Sequence, residues 1–344
     1  MNDLPTVPAT GTPLERLGWN DHFAHAFELL DADELVPGRV AAQHRGAAVV
    51  FTEAGEVRAR EAGALRHAAR TPSELPAVGD WVALRRRSGG APALIEAVLP
   101  RRTAFSRRGA GSLEEEQLLA ANVDVAFIVF SAGHVLDGRL LERYVTTAMQ
   151  GGARPVVVLS KADLLEDRET LVAEVRGLAP DVPVLVLSNV TGEGLDGLDA
   201  FLTDGVTGAV LGPSGVGKST LVNHLAGRDV LATAETRADG EGRHTTSHRE
   251  LVVLPRGGLI VDTPGLRELQ LWTGSEGLDD AFTDITALAE HCRFRDCAHQ
   301  HEPGCAVLAA AAEGTLEPQR LKSYRALERE LEALGRKGRR RGRG

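Results

Sequence analysis

Gly212-Pro213-Ser214-Gly215-Val216-Gly217-Lys218-Ser219-Thr220 fills every position of the pattern GxxxxGK[ST]. The apolar run VTGAVL (206–211) leads into it and STLVNHLAG (219–227) leads away, so the stretch predicts a strand, a tight glycine loop and a helix. Such a loop wraps phosphate oxygens in backbone N–H groups at a helix N-terminus, whose dipole adds to the attraction. Lys218 is expected to reach the β- and γ-phosphates as a fixed positive charge, and the Ser219 hydroxyl to ligate Mg²⁺. Only four of the 39 basic residues are lysines, so a lysine falling here by chance is uncommon.

Upstream, VDVAFIVFSA (123–132), GRLLERYVTTAMQGG (138–152), RPVVVLSKADLL (154–165) and PVLVLS (183–188) alternate apolar runs with amphipathic stretches, the pattern of a covered, mostly parallel α/β sheet. Ser160-Lys161-Ala162-Asp163 follows one of these strands and resembles the N/T-K-x-D element of GTPases. There the aspartate accepts from guanine N1 and N2 while the lysine stem packs along the base; adenine offers no such donor pair. Ser160 keeps a hydroxyl able to brace the loop and lacks the usual amide. Ser188-Asn189 follows the next strand and is placed like the S-A-K loop whose backbone touches the guanine oxygen, with Asn189 where alanine is usual.

Downstream, Asp262-Thr263-Pro264-Gly265 resembles the D-x-x-G element, whose aspartate approaches Mg²⁺ and whose glycine N–H senses the γ-phosphate. Between it and the phosphate loop, Gly242-Arg243-His244-Thr245-Thr246-Ser247 suits a first switch in which Thr245 or Thr246 completes the Mg²⁺ shell. Leu266 stands where many signalling GTPases carry a water-orienting glutamine, so slow intrinsic hydrolysis is expected. His244 is the candidate to position water, acting with Lys218 and Thr246; the alternative is a switch-stabilising or RNA-facing side chain. The base-reading elements precede the phosphate loop, the reverse of the ordinary order, so the domain is expected to be circularly permuted.

Before this domain, RVAAQH, AAVVFTE, EVRARE, DWVALRR and ALIEAVL lie between turn signals at roughly ten-residue spacing and predict a barrel of about five strands, for which an OB-fold is the natural candidate. The expected divisions are an N-terminal extension with one helix (1–35), the barrel (36–110), the permuted domain (111–277), a small helical metal-binding domain (278–334) and a basic tail (335–344). Cys292, Cys297 and Cys305 with His299 or His301 supply three thiolates and an imidazole, a closed set suited to one structural Zn²⁺.

The 344 residues are 43% hydrophobic, 25% charged and 4% aromatic, which excludes global disorder. No apolar run reaches the ~18 residues a membrane helix needs, the start MNDLPTVPAT lacks a signal-peptide pattern, and all three cysteines cluster; a cytoplasmic monomer away from membranes is expected. The net charge of −9 conceals +7 over residues 36–108 and +6 over the tail. These basic stretches suit RNA: Arg85, Arg86, Arg87, Arg101, Arg102, Arg107 and Arg108 to neutralise phosphates, and Phe51, Trp81 or Phe105 either to stack on bases or to fill the barrel.

GPSGVGKST, GRHTTS, DTPG and CRFRDCAHQHEPGC, in that order after SKAD and behind an Arg-rich β segment, are together similar to the ribosome-small-subunit-dependent GTPase A family. The resemblance implies an OB-fold, a circularly permuted GTPase domain and a C-terminal zinc domain with His299 as the fourth ligand. It further implies Mg²⁺-dependent hydrolysis of GTP to GDP, stimulated by the small ribosomal subunit during its late maturation, with the barrel and zinc domain on ribosomal RNA. Two other classes stay open: a P-loop ATPase or kinase, and an RNA-binding assembly factor with a nucleotide switch and negligible turnover.

Overall fold

The computed structural model describes residues 11–44, 46–108, 116–132, 136–165, 167–213, 215–230, 250–262, 278, 281–318 and 320–329. Thr12 and Asn20 cap two short helices, α1 (Pro13–Arg16) and α2 (Asp21–Glu28), where the sequence suggested one. The turn between them brings Trp19 to 4.7 Å from the Trp81 ring, and Phe23 from α2 lies 5.7 Å from the same ring.

The barrel strands are β1 (Leu35–His44), β2 (Ala47–Thr52), β3 (Gly55–Glu61), β4 (Trp81–Arg85) and β5 (Ala93–Val98), with α3 (Gly63–Ala68) between β3 and β4. Pairing β1–β2–β3–β5–β4 returns to β1, antiparallel except for β3–β5, and so closes the five-strand OB-type barrel. Closure removes the edges that an open five-stranded sheet would expose. Val40, Val50, Val82, Leu84 and Ile95 fill the interior. Trp81 and Phe105 are buried too, so neither offers a face to a base.

A hairpin of β6 (Ala104–Arg108) and β7 (Glu116–Ala121) follows, which the sequence reading did not separate from its neighbours; the boundary expected after residue 110 falls between its strands. The α/β sheet consists of β8 (Val125–Ser131), β9 (Arg154–Ser160), β10 (Val184–Val186), β11 (Thr207–Leu211), β12 (Glu250–Val253) and β13 (Leu259–Asp262) in the order β10-β9-β8-β11-β13-β12. All neighbours run parallel except β12 on β13. Every residue of β8 is buried, as a central parallel strand covered on both faces requires. α4 (Gly138–Gln150) and α5 (Arg168–Leu178) each connect parallel strands, and α6 (Lys218–Ala226) follows β11. β8 leads outward to β9 and β10, whereas β11 leads the other way, so the chain reverses direction between β8 and β11; in open α/β sheets ligands lie at such a crevice.

A bridge from Ala42 to Glu250 joins the barrel and the α/β sheet into one eleven-stranded sheet. Arg39 anchors the barrel to its other neighbours. Fully buried, it donates to Gly79 O (3.2 Å), Asn122 O (3.0 Å) and Leu17 O, tying barrel, hairpin and N-terminal helices together. Burial lowers its pKa to about 10 against the opposing fields of Asp124 and Asp80, leaving it charged at neutral pH. Other arginines expected to face RNA are held in ion pairs: Arg101 is bidentate to buried Asp80 (2.8 Å each), Arg85 pairs with Glu96 and Glu34, and Arg102 with Asp124. Arg86 and Arg87 remain exposed, together with Arg58 and Arg60 on β3; the side chains of Arg107 and Arg108 lie outside the described residues.

α7 (Thr283–Ala289), α8 (Ala306–Glu313) and a helical segment over 320–329 are the last described elements. Phe282, Val307 and Leu321 belong to the same hydrophobic cluster as Ile128 and Leu141, so this unit is packed onto the α/β domain.

Candidate functional site

Gly212 ends β11 with φ of +133°, and a Cβ there would stand 2.2 Å from the Val129 carbonyl oxygen; only glycine lets the loop turn against β8. Gly217, at φ +93°, is the N-cap of α6 and aims the first turn of the helix into the loop. Lys218, mostly buried, curls back so that Nζ donates to Gly212 O (2.8 Å) and to Pro213 O. These carbonyls hold an ammonium that a phosphate can take over.

The base-side loops pack against this one. Ser160, at the buried end of β9, places Oγ 2.6 Å from Val216 O and 3.0 Å from Phe130 O. The expected bracing by its hydroxyl therefore has a definite partner in the phosphate loop. Lys161 adopts the left-handed conformation (φ +59°), which turns its stem across the loop so that Nζ donates to Gly215 O at 3.0 Å. Ala162 donates its N–H to Leu187 O (3.0 Å), locking the two base-side loops together. Ser188 accepts from the N–H groups of Val190 and Thr191 (3.2 Å each) and donates its proton to Asp163 Oδ1, fixing the orientation of the exposed carboxylate. Asn189 reaches Gly217 O through Nδ2 at 3.4 Å. Outside, Arg168 clasps Glu193, with Nη2 to Oε2 at 2.9 Å, and the hydrogen bond holds the Glu193 carboxyl below its usual range.

Thus Ser160, Lys161, Ala162, Asp163, Ser188, Asn189, Gly212, Pro213, Gly215, Val216, Gly217 and Lys218 converge at the reversal point of the sheet. Ser219 and Thr220 open α6 beside them. Of Asp262 only the strand position at the end of β13 is described, and Ser214, His244, Thr245, Thr246 and Gly265 lie outside the described residues.

The second cluster gathers Cys292, Cys297, His299 and Cys305, whose ligand atoms all lie within 4.8 Å of one another. Around a tetrahedral zinc, bonds of about 2.3 Å to sulfur and about 2.0 Å to nitrogen separate two sulfurs by about 3.8 Å and sulfur from nitrogen by about 3.5 Å. The separations here are 3.8 Å for Cys292 Sγ to Cys305 Sγ, and 3.6 and 3.4 Å from His299 Nδ1 to those sulfurs. The donor set is therefore compatible with zinc, and His301 stands outside it. His299 takes the left-handed conformation (φ +54°) to turn inward, and Cys305 caps α8 by accepting Leu308 N–H at 3.4 Å. Sequence reasoning passed over Glu302, which accepts from the N–H groups of Ala298 (3.2 Å), Gln300 (2.8 Å) and His301 (3.0 Å) and so closes the loop between the ligands. Those bonds lower its pKa to about 2.

It also passed over the joint between the C-terminal unit and the α/β domain. Buried Arg320 donates bidentately to Asp284, and further to Ala281 O (3.0 Å) and to Leu178 O at the end of α5. It lies over the Phe282 ring at 4.6 Å and faces Glu142 of α4 at 3.5 Å. Burial raises the Glu142 pKa to about 7, opposed by Ser323 and Arg320. A buried charge on an amphipathic helix has no periodic signature; only the apolar neighbourhood that appears on folding distinguishes Glu142 from a solvated glutamate.

A phosphate loop preceded in the chain by its base-side loops, on a parallel sheet behind a five-strand barrel, defines the class: a circularly permuted P-loop GTPase with an appended Cys₃His module. The RsgA GTPase family profile matches residues 98–272. The small ribosomal subunit biogenesis GTPase RsgA of Opitutus terrae is 48% identical over 327 residues, 92% of this chain and 89% of the relative. Its namesake in Streptomyces coelicolor is 46% identical, covering 93% and 87%. The crystal structure of YjeQ from Thermotoga maritima superposes with a TM-score of 0.67 at 26% identity over 86% of this chain and 98% of that one. YloQ, described as a circularly permuted GTPase, shares the fold with a TM-score of 0.65 at 24% identity over 88% and 96%. The chain belongs to the RsgA GTPase family.

Proposed function

We propose that this protein hydrolyses GTP during late maturation of the small ribosomal subunit, with hydrolysis stimulated by that subunit. The observation that carries the reading is the oriented Asp163, held by Ser188 on loops that also grip the phosphate loop. A carboxylate fixed there accepts two bonds from guanine N1 and N2, and adenine leaves it unpaired. The loop N–H groups of residues 212–220, Pro213 excepted, would receive the phosphates, and Lys218 would exchange the Gly212 and Pro213 carbonyls for the β- and γ-phosphate oxygens. Ser219, one of Thr245 and Thr246, and Asp262 would hold Mg²⁺, which supplies charge neutralisation at the phosphates. Gly265 would sense the γ-phosphate and His244 position the attacking water.

Cys292, Cys297, His299 and Cys305 would hold one structural Zn²⁺. Exposed arginines on the barrel, with Phe294 and the basic tail, suit contact with ribosomal RNA. We assign the protein to the cytoplasm, as a monomer; no described helix is long and apolar enough to cross a membrane.

Phosphate release is measured from GTP and from ATP, with and without purified small ribosomal subunits, with Lys218→Ala as the blank. Stimulation confined to GTP is expected. Equal turnover of ATP, or no response to the subunit, refutes the reading.

A further inference from the structure

The loop over 188–194 closes on itself. Ser188 N–H donates to Glu193 O (2.9 Å) and Gly192 N–H to Ser188 O (3.0 Å), while Gly194, at φ +71°, approaches Val186 O so closely that a Cβ there would stand 2.2 Å away. Where Glu193 sits therefore sets where Ser188 sits, and the Ser188 hydroxyl carries that position on to Asp163. A second element holds the loop from outside. Arg168, the first residue of α5, is bidentate to Glu193, Nη1 to Oε1 and Nη2 to Oε2, and the remaining Nη2 proton is directed to Ala162 O at 3.5 Å. One guanidinium thus reaches both base-side loops, 188–194 through Glu193 and 160–163 through Ala162.

Two features separate this pair from a merely solvated surface contact. A cation at the first position of a helix opposes the helix dipole, so α5 itself gains nothing from an arginine there. Glu193 also lies close enough to Asp163 for the two carboxylates to repel, and the guanidinium offsets that charge beside the base-reading group. We infer that Arg168 is a positioning residue for guanine recognition: by clamping Glu193 it fixes Ser188, and through the Ser188 hydroxyl it fixes the Asp163 carboxylate that reads the base. This rests on the guanine reading proposed above. Arg168 acts through Glu193 and Ser188 rather than on the base itself, and its place 25 residues before Glu193 carries no motif.

The test is equilibrium binding of GDP, IDP and ADP with Mg²⁺ to the full chain as wild type, Arg168→Ala, Glu193→Ala and the double variant, each checked for cooperative melting. Both side chains are largely exposed, so neither truncation opens the core. IDP lacks the N2 amino group, so the ratio of the IDP and GDP dissociation constants reads the second bond to Asp163. At low salt Arg168→Ala is expected to weaken GDP about two- to fivefold, the range of an exposed ion pair, and to lower that ratio, which a loss of general stability leaves alone. The effect is expected to fade in 1 M salt, where the Debye length is about 3 Å. In the Glu193→Ala background Arg168→Ala is expected to cost less than it does alone. Unchanged GDP affinity in Arg168→Ala at low salt, an unchanged IDP to GDP ratio, a loss as large in 1 M salt, or full additivity in the double variant each overturns the inference. A wild type that binds ADP as tightly as GDP removes the guanine reading and this inference together, whereas a GDP preference indifferent to Arg168 removes this inference alone.

Discussion

Replacing Glu142 by glutamine is expected to stabilise the protein at alkaline pH and to flatten its stability profile between pH 4.5 and 7. The wild-type carboxyl is 2% exposed, faces Arg320 at 3.5 Å, and has its pKa raised from 4.5 to about 7, chiefly by burial. Below pH 4.5 the group is protonated whether the chain is folded or not, and it contributes nothing. As pH rises from there, the unfolded chain ionises while the folded one keeps its proton, so stability declines until the folded group ionises near pH 7. At about 1.4 kcal/mol per pKa unit the full penalty is about 3–4 kcal/mol, and partial relaxation or water entry reduces it to about 1–3 kcal/mol. Glutamine keeps the shape, removes the ionisation and leaves Arg320 bound to Asp284. Thermal melts of both proteins at pH 5 and pH 8.5 are the assay, with a Tm gap that opens in favour of Glu142→Gln at the higher pH. A gap of equal size at both pH values, or a variant less stable at pH 8.5, refutes the assignment of Glu142 as a desolvated carboxyl.

Ser160→Ala removes the hydroxyl that faces Val216 O and leaves that carbonyl without its side-chain donor; guanine-nucleotide affinity is expected to fall about five- to tenfold, measured by equilibrium binding in a variant that still melts cooperatively. Affinity within twofold of wild type would show that the phosphate loop does not depend on that brace. Cys305→Ser removes one donor of the cluster and the cap of α8, so bound zinc, measured by mass spectrometry of the purified protein, is expected to drop from about one equivalent to well below half. Retention of a full equivalent would mean that the other three donors and water suffice.

The phosphate loop was legible because its glycines answer a local need, the positive-φ turn from β11 into α6. SKAD and the Cys/His spacing were legible likewise, as short motifs whose residues lie within one loop. The five barrel strands were legible through alternation such as AAVVFT, whose burial follows period two. The hairpin at 104–121 was not, since AFSRR and EQLLAA gain their stability from burying Phe105 and Leu119 against elements far away in the chain. The arginines illustrate the same limit. In sequence the barrel arginines form one basic stretch, yet Arg39 and Arg101 are spent on buried carbonyls and Asp80, and only the folded surface separates them from exposed Arg58, Arg60, Arg86 and Arg87.

By itself, the sequence determined which residue types each cluster brings together and the permuted order of the elements, because short motifs carry their donor sets in residue type and spacing within one loop. Tertiary structure alone decided what those clusters are fastened to. Arg320 joins the C-terminal unit to α4 and α5, Arg39 joins the barrel to the N-terminal helices and the end of the hairpin, and Asn189 joins the base side to the phosphate loop. Each of these contacts spans a long stretch of chain, and its strength comes from a dielectric that exists only once the surrounding apolar residues have excluded water.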